Sequence, residues 1–213
     1  MRTLTMLLVL AACAAPLHGQ RVEAVNGGIV YRPPCSAPAR RLTQSGMDSE
    51  PRLSPTGTRI VFLRRMPGGS GQSAVWVMNT DGSGARMLVR PREDDAPVRN
   101  LTEIKAPQFS PDGMRVYFLA SAWATSNAVH QVDVATGAER YLIPGNTLEV
   151  VPAGDYAGHL LVNQHRYFLA GGSYDWEWLF TPQGREVGPV GETEEAQREF
   201  RAGIPRRPAA RCR

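Results

Sequence analysis

Two stretches of this chain carry the same signals in the same order. Arg52-Leu53-Ser54-Pro55-Thr56-Gly57-Thr58-Arg59-Ile60-Val61-Phe62-Leu63 is matched by Gln108-Phe109-Ser110-Pro111-Asp112-Gly113-Met114-Arg115-Val116-Tyr117-Phe118-Leu119. Each reads as a strand end, a tight turn and a second, apolar strand. Proline presets φ at the turn, and glycine accepts a positive φ. A chain that repeats such a hairpin must build its core by stacking like units, because one unit cannot bury both of its own faces.

The first unit runs from about Leu42 to Pro91. Arg52–Ser54 is its first strand and Arg59–Arg65 its second. Met66–Ser73 is a glycine-rich loop, Ala74–Asn79 an alternating aromatic strand, Asp81-Gly82 a hairpin signal and Ala85–Val89 the closing strand. That is four short strands, A to D, in up-and-down order. The second unit, Leu101 to Gly145, repeats them: Arg115–Ala120 is B, Ala128–Val134 is C ending at Thr136-Gly137, and Glu139–Ile143 is D. Spacing finds a degenerate third unit over 146–191. From the A–B glycine to the C–D glycine is 25 residues in the first unit (Gly57 to Gly82), 24 in the second (Gly113 to Gly137) and 26 in the third (Gly158 to Gly184). Leu160–Gln164, Trp176–Phe180 and Arg185–Val190 are then B, C and D. The fold class is all-β: three four-stranded antiparallel units over residues 42–191.

These repeats, with Leu-Thr at Leu42-Thr43 and Leu101-Thr102, Ser-Pro-Asp-Gly at 110–113 and Val75-Trp76-Val77-Met78-Asn79-Thr80-Asp81-Gly82, resemble the TolB-like β-propeller repeat. The likeness covers 42–145 well and 146–191 weakly. It implies blades of a propeller and a place in the bacterial periplasm or envelope. It does not imply a function, since propellers host binding, scaffolding and catalysis alike. Propellers usually have four to eight blades, so three leave open faces. Three resolutions stand: the first and last segments supply partial blades, two chains join as a homodimer, or the object is an open wedge capped by its termini. An open array or a dimer is expected over a hidden complete ring.

The flanks carry an address. Residues 1–12 have a short basic start and an apolar run too short to span a bilayer, and Leu10-Ala11-Ala12-Cys13 resembles a lipoprotein lipobox. Cys13 is then the lipidated N-terminus of a periplasmic, membrane-anchored protein; the alternative is plain secretion after cleavage near Gly19-Gln20. Residues 13–41 read as an extended linker with one strand at Gly28–Tyr31, punctuated by Gly27-Gly28. Residues 192–213 read as a short helix, Glu192–Phe200, and a basic tail. Cys35 and Cys212 bracket the repeats, and an oxidising compartment allows them to pair; two free thiols are the other reading.

The net charge of +4 is modest, and Lys105 is the only lysine. Acidic residues mixed into the basic C-terminus argue against nucleic acid. No motif pairs a nucleophile with His18, His130, His159 or His165, no His/Cys cluster has zinc spacing, and no cofactor is expected. Enzyme activity is not expected. The candidate binding face is the set of B–C loops: Arg64 and Arg65 in the first unit, Trp123 in the second, and His165, Arg166, Tyr167 and Asp175 in the third. Arg and aromatic side chains are the usual material of interaction hot spots. For Arg166 and Asp175 an ion pair that fixes the loop competes with ligand contact, and of Trp176 and Trp178 at least one is expected in the core. The expected function is a protein-interaction module whose partner is another envelope protein. The alternative is a reduced propeller enzyme or a carbohydrate-binding accessory to a peptidase or glycan-degrading system.

Overall fold

A computed structural model describes residues 19–34, 37–68, 71–124 and 126–205. The lipobox, Cys13, Cys35, Cys212 and the basic tail lie outside the described residues.

Three four-stranded antiparallel blades form as expected. Blade 1 is β4 (Asp48–Leu53), β5 (Arg59–Arg65), β6 (Ser73–Asn79) and β7 (Arg86–Val89), which follow β1 to β3 of a further sheet described below. Blade 2 is β8 (Thr102–Phe109), β9 (Arg115–Trp123), β10 (Ser126–Asp133) and β11 (Glu139–Pro144). Blade 3 is β12 (Glu149–Val150), β13 (Leu160–Tyr167), β14 (Ser173–Phe180) and β15 (Glu186–Gly191). The turn chemistry accounts for the hairpins. Gly57 and Gly113 take φ of 69° and 71°, and the hydroxyls of Ser54 and Ser110 accept the amides of Arg59 and Arg115 at 3.0 Å.

Strand alternation explains the stacking. Along β5, Val61 and Leu63 face blade 2, where they meet Leu101, Phe109, Val116 and Phe118. Ile60 and Phe62 face the other way. Along β9, Tyr117 and Leu119 face blade 3 and join Leu160, Val162, Trp178 and Phe180. The B strands β5 and β9 are therefore apolar on both faces, as strands buried between two sheets are.

The inner strands are less regular. Glu50 and Ala106, at the same repeat position, have φ of 48° and 53° and precede Pro51 and Pro107. Each breaks the ladder to its neighbour with a bulge. The amide of Ala106 donates to the Glu50 carboxylate of the preceding blade at 2.7 Å. Gln108 repeats the stitch one blade on: its side chain donates to the Leu148 carbonyl at 2.7 Å and accepts from the Val150 amide at 3.0 Å.

Both ends of the array are covered. At the N-terminal end, β1 (Arg21–Val25), β2 (Gly28–Arg32) and β3 (Arg40–Arg41) form a three-stranded sheet. The sequence reading found only its middle strand. The missed signal was Asn26-Gly27, a two-residue turn with positive φ at both positions, which is a hairpin pair. Ile29 and Tyr31 of this sheet pack on Ile60, Phe62 and Met78 of blade 1. At the C-terminal end, α1 (Glu194–Gly203) begins two residues later than expected and runs three further. The Thr193 hydroxyl caps it by accepting the Ala196 amide at 3.2 Å, and Glu194 and Glu195 sit in its first turn, where the helix dipole favours acid. Phe200 and Ile204, at its end, pack on Val151, Leu161 and Leu179 of blade 3. No helix among the described residues is long and apolar enough to cross a membrane.

Candidate functional site

The β5–β6, β9–β10 and β13–β14 connections leave their blades at one end, the B–C end, and the A–B turns leave at the other. The candidate residues share that end but do not form one cluster.

Arg64 is committed to the fold. Its guanidinium makes a two-pronged ion pair with Asp48, at 2.6 and 2.9 Å, and lies over the rings of Trp76 and Phe62. The Asp48 side chain is fully buried, and Thr43 donates a further hydrogen bond to it. Burial works to raise the Asp48 pKa, but the hydrogen bonds from Arg64, Thr43 and Ser45 outweigh it and hold the carboxyl below its ordinary value. Arg65, one residue on, is exposed and has no side-chain partner among the described residues. Trp123, at the end of β9, is 40% exposed.

The third blade holds the richest group. Arg166 does not pair with Asp175. It bonds Gln164 at 2.5 and 2.8 Å and Glu186 at 2.6 Å, with its guanidinium 3.5 Å from the centre of the Trp178 ring. Asp175 pairs instead with His165, at 3.0 Å, directly across the β13–β14 ladder. The Tyr167 ring stands edge-on to His165. Trp178 is in the core, as expected for one of the two tryptophans. The structure adds what the spacing did not single out. Phe168, Tyr174 and Trp176 stack in series, with centroids 4.5 Å apart for the first pair and 4.2 Å for the second. Tyr167 is 75% exposed, and Leu169 at the hairpin tip is wholly exposed. From Tyr167 to Tyr174 the chain carries no charge.

A second buried polar group lies in blade 2, around His130. It is fully buried on β10, stacked on Phe118, with Nδ1 2.6 Å from Glu139, which also takes Arg92 at 3.0 Å. Burial opposes ionisation of Glu139, and the bonds from His130 and Arg92 prevail and keep its pKa low. Its Nε2 has no partner among the described residues, and neither do the indole N–H groups of Trp76 and Trp178. All three stand at one repeat position, in the middle of strand C, facing the preceding sheet. No group of three or more metal-ligating side chains occurs among the described residues.

No protein-family model and no curated protein matches the sequence. Solved structures do match the fold. A TolB structure from Agrobacterium tumefaciens superposes with a TM-score of 0.55 at 14% identity, over 84% of this chain and 64% of that one. TolB from Acinetobacter baumannii gives 0.52 at 14% identity, over 84% and 44%. Oligogalacturonate lyase from Vibrio parahaemolyticus gives 0.53 at 10% identity, over 78% and 43%. The chain thus spans less than two thirds of each of these propellers, and at such identities the likeness is one of fold. Repeats, blade topology and superposition agree that this chain carries a partial β-propeller of the TolB-like fold.

Proposed function

We propose that this chain is an exported, lipid-anchored envelope protein that works as a protein-interaction module, with its B–C end turned towards the partner. One observation carries the reading: the uncharged hairpin tip Tyr167-Phe168-Leu169, held out from blade 3 on a stack of aromatic rings. Exposed apolar groups gathered at one spot mark contact sites more often than chance surface. The ion pairs of Arg64 and Arg166 and the hydrogen bond of His165 to Asp175 are scaffolding for this end. Arg65, Trp123 and Tyr167 are left to touch a partner.

The position of the N-terminus supports the orientation. Gly19 and Gln20 lie beside Ser54 and Pro55, at the A–B end. Cys13 is six residues before Gly19, a reach of about 20 Å when fully extended. A lipid on Cys13 therefore tethers the A–B end to the bilayer and points the B–C loops away from it. The reading is binding rather than catalysis, because His130 bonds Glu139 and Asp48 bonds Arg64 in the packed interior, away from the exposed B–C tip.

The test has two parts. Metabolic labelling with a radioactive fatty acid should mark the protein and fail for Cys13→Ser. A photo-crosslinking amino acid at Leu169 should give a discrete protein adduct in intact cells, and the same group at Met114, an exposed A–B turn position, should not. Equal yields at both positions, or none at Leu169, would reject the B–C end as the interaction surface.

A further inference from the structure

Among the described residues the N-terminal sheet has three strands and no innermost one. Its three strands can be matched to blade strands by direction and by neighbours. The C–D turn glycine of each blade lies against the outer strand of the sheet before it: Gly137 against Leu88, Gly184 against Leu142, and Gly82 against Leu42, next to β3. So β3 stands where a strand D stands. The Gly27 carbonyl accepts the Asp48 amide at 2.9 Å, which puts the β1–β2 turn at the B–C end, and Gln20 lies against Gly57 of an A–B turn. β1 therefore runs like β5, β9 and β13. The sheet is B, C and D of a blade, and no strand A pairs with it among the described residues.

The register shows what that leaves open. Val25 pairs with Gly28 across the two-residue turn. In that geometry Arg21, Glu23 and Val25 spend their amides and carbonyls on β2, and Val22 and Ala24 turn theirs to the inner edge. Neither residue has a hydrogen bond at that edge among the described residues. The other three sheets have an inner strand there. Val22 and Leu53, half-buried at the margin of the first core cluster, give alternate side chains of such a strand an apolar seat.

The residues that precede β1 are in the wrong place to fill the gap after maturation. In blades 1 and 2 the inner-strand residue opposite the start of strand B lies seven residues earlier (Leu53 with Ile60, Phe109 with Val116), and in blade 3 ten (Val150 with Leu160). Counted back from Arg21 or Val22, the strand would end at Ala14 or Ala15 and run back through Leu10. Cleavage before Cys13 removes most of it. We infer that the mature protein takes an extended segment of a partner protein, with apolar residues at alternate positions, as the inner strand of its N-terminal sheet, paired to Val22 and Ala24. Main-chain hydrogen bonds would supply the affinity and the alternating side chains the selectivity. The inference rests on the processing at Cys13 proposed above.

The experiment uses mature protein extracted from membranes in detergent. Intact mass fixes its N-terminus, and amide hydrogen exchange is followed along β1 with and without a heptapeptide of alternating threonine and valine. The expected result is an N-terminus at Cys13, fast exchange at Val22 and Ala24, and slowing of both by tenfold or more at millimolar peptide. Ala24→Pro removes one outward amide and none of the bonds to β2, so it should abolish the slowing at Val22. Three results overturn the inference. Absence of slowing at millimolar peptide means that the edge does not accept a strand. Protection without peptide in protein that starts at Cys13 means that the chain's own tail or a second copy already occupies the edge, and the processing reading survives. A mass that retains residues 1–12 means that the strand is supplied in cis, and the processing reading fails with the inference.

Discussion

The two ends of the blade array are finished in different ways. At the C-terminal end one amphipathic helix lies over blade 3, turns Ala196, Gln197, Phe200 and Ile204 inward and leaves Glu194, Glu195 and Arg198 in water. At the N-terminal end a sheet with three strands among the described residues lies over blade 1. Its inner face buries Ile29 and Tyr31, and its outer face carries the exposed pair Arg32–Glu23. Stacked repeats need polar outer surfaces at both ends to stay soluble, and both ends supply one. The difference lies in what is buried. The N-terminal seam encloses whole side chains, Phe62 and Ile60 among them, and a charge pair. The helix only half-covers Phe200, and the ion pairs of Arg201 with Glu149 and Glu177 stay partly wet. A sheet end offers a broad face to bury against; a ten-residue helix offers a stripe.

Truncations at the two seams should separate them most. Phe62→Ala opens a cavity in a seam where the ring is fully buried, and should cost about 3–5 kcal/mol in denaturant unfolding. Phe200→Ala, half-buried, should cost about 1–2 kcal/mol, scaled down from full burial. Equal costs would mean that the helix is as integral to the core as the sheet. The ion pairs sharpen the same contrast. Arg64→Ala leaves the Asp48 carboxylate buried and unpaired, a loss of about 3–5 kcal/mol. Arg201→Ala frees Glu149, which water reaches, but leaves the largely buried Glu177 without its partner, and should cost about 1–2 kcal/mol, still less than the loss at Arg64.

Blade 1 and blade 2 were legible because turn chemistry and alternation agree there: β5 spans the Arg59–Arg65 expected of it. The third blade was legible only through the Gly158-to-Gly184 spacing. Of the inner strands only the ends were legible, Arg52-Leu53 and Gln108-Phe109. Pro51 and Pro107 break their pattern, and what holds them is a contact between blades, Ala106 to Glu50, that no local signal announces. The N-terminal sheet was hidden by Arg21-Val22-Glu23-Ala24-Val25, whose alternation is weak, although Asn26-Gly27 was there to read. At the candidate site, residue type was informative and pairing was not. Arg64 and Arg166 look alike in sequence, on a strand B before a glycine-rich loop. Their partners, Asp48 on the adjacent β4 and Glu186 on β15 two strands away, are chosen only by the fold.

The charged seam should also make the N-terminal end the acid-sensitive one. The Asp48 pKa is lowered in the folded state, so the unfolded chain binds this proton more readily. The stabilisation is full above the ordinary carboxylate value, near 3.9, and is lost as pH falls through the lower folded value. Asp48→Asn should flatten the acid limb of the stability curve between pH 5 and 2, as followed by urea midpoints. A limb unchanged by Asp48→Asn would assign it to other lowered carboxylates, Glu139 in blade 2 first among them.

The smallest effect tests whether the helix caps the array by packing or by its own stability. Thr193→Ala removes the hydroxyl that accepts the Ala196 amide and leaves the Phe200 and Ile204 contacts untouched. If α1 holds its shape through packing on blade 3, the loss should be about 1 kcal/mol, spread over global unfolding. If the helix instead depends on its own cap, the same substitution should leave the global midpoint unchanged and speed amide exchange in residues 194–203 alone. Exchange resolved by segment distinguishes the two. The half-buried face of α1 favours the first outcome, because most helical stability in proteins comes from tertiary packing of one face. A purely local response would make the C-terminal cap a separable element, able to lift from blade 3 while the N-terminal seam stays closed.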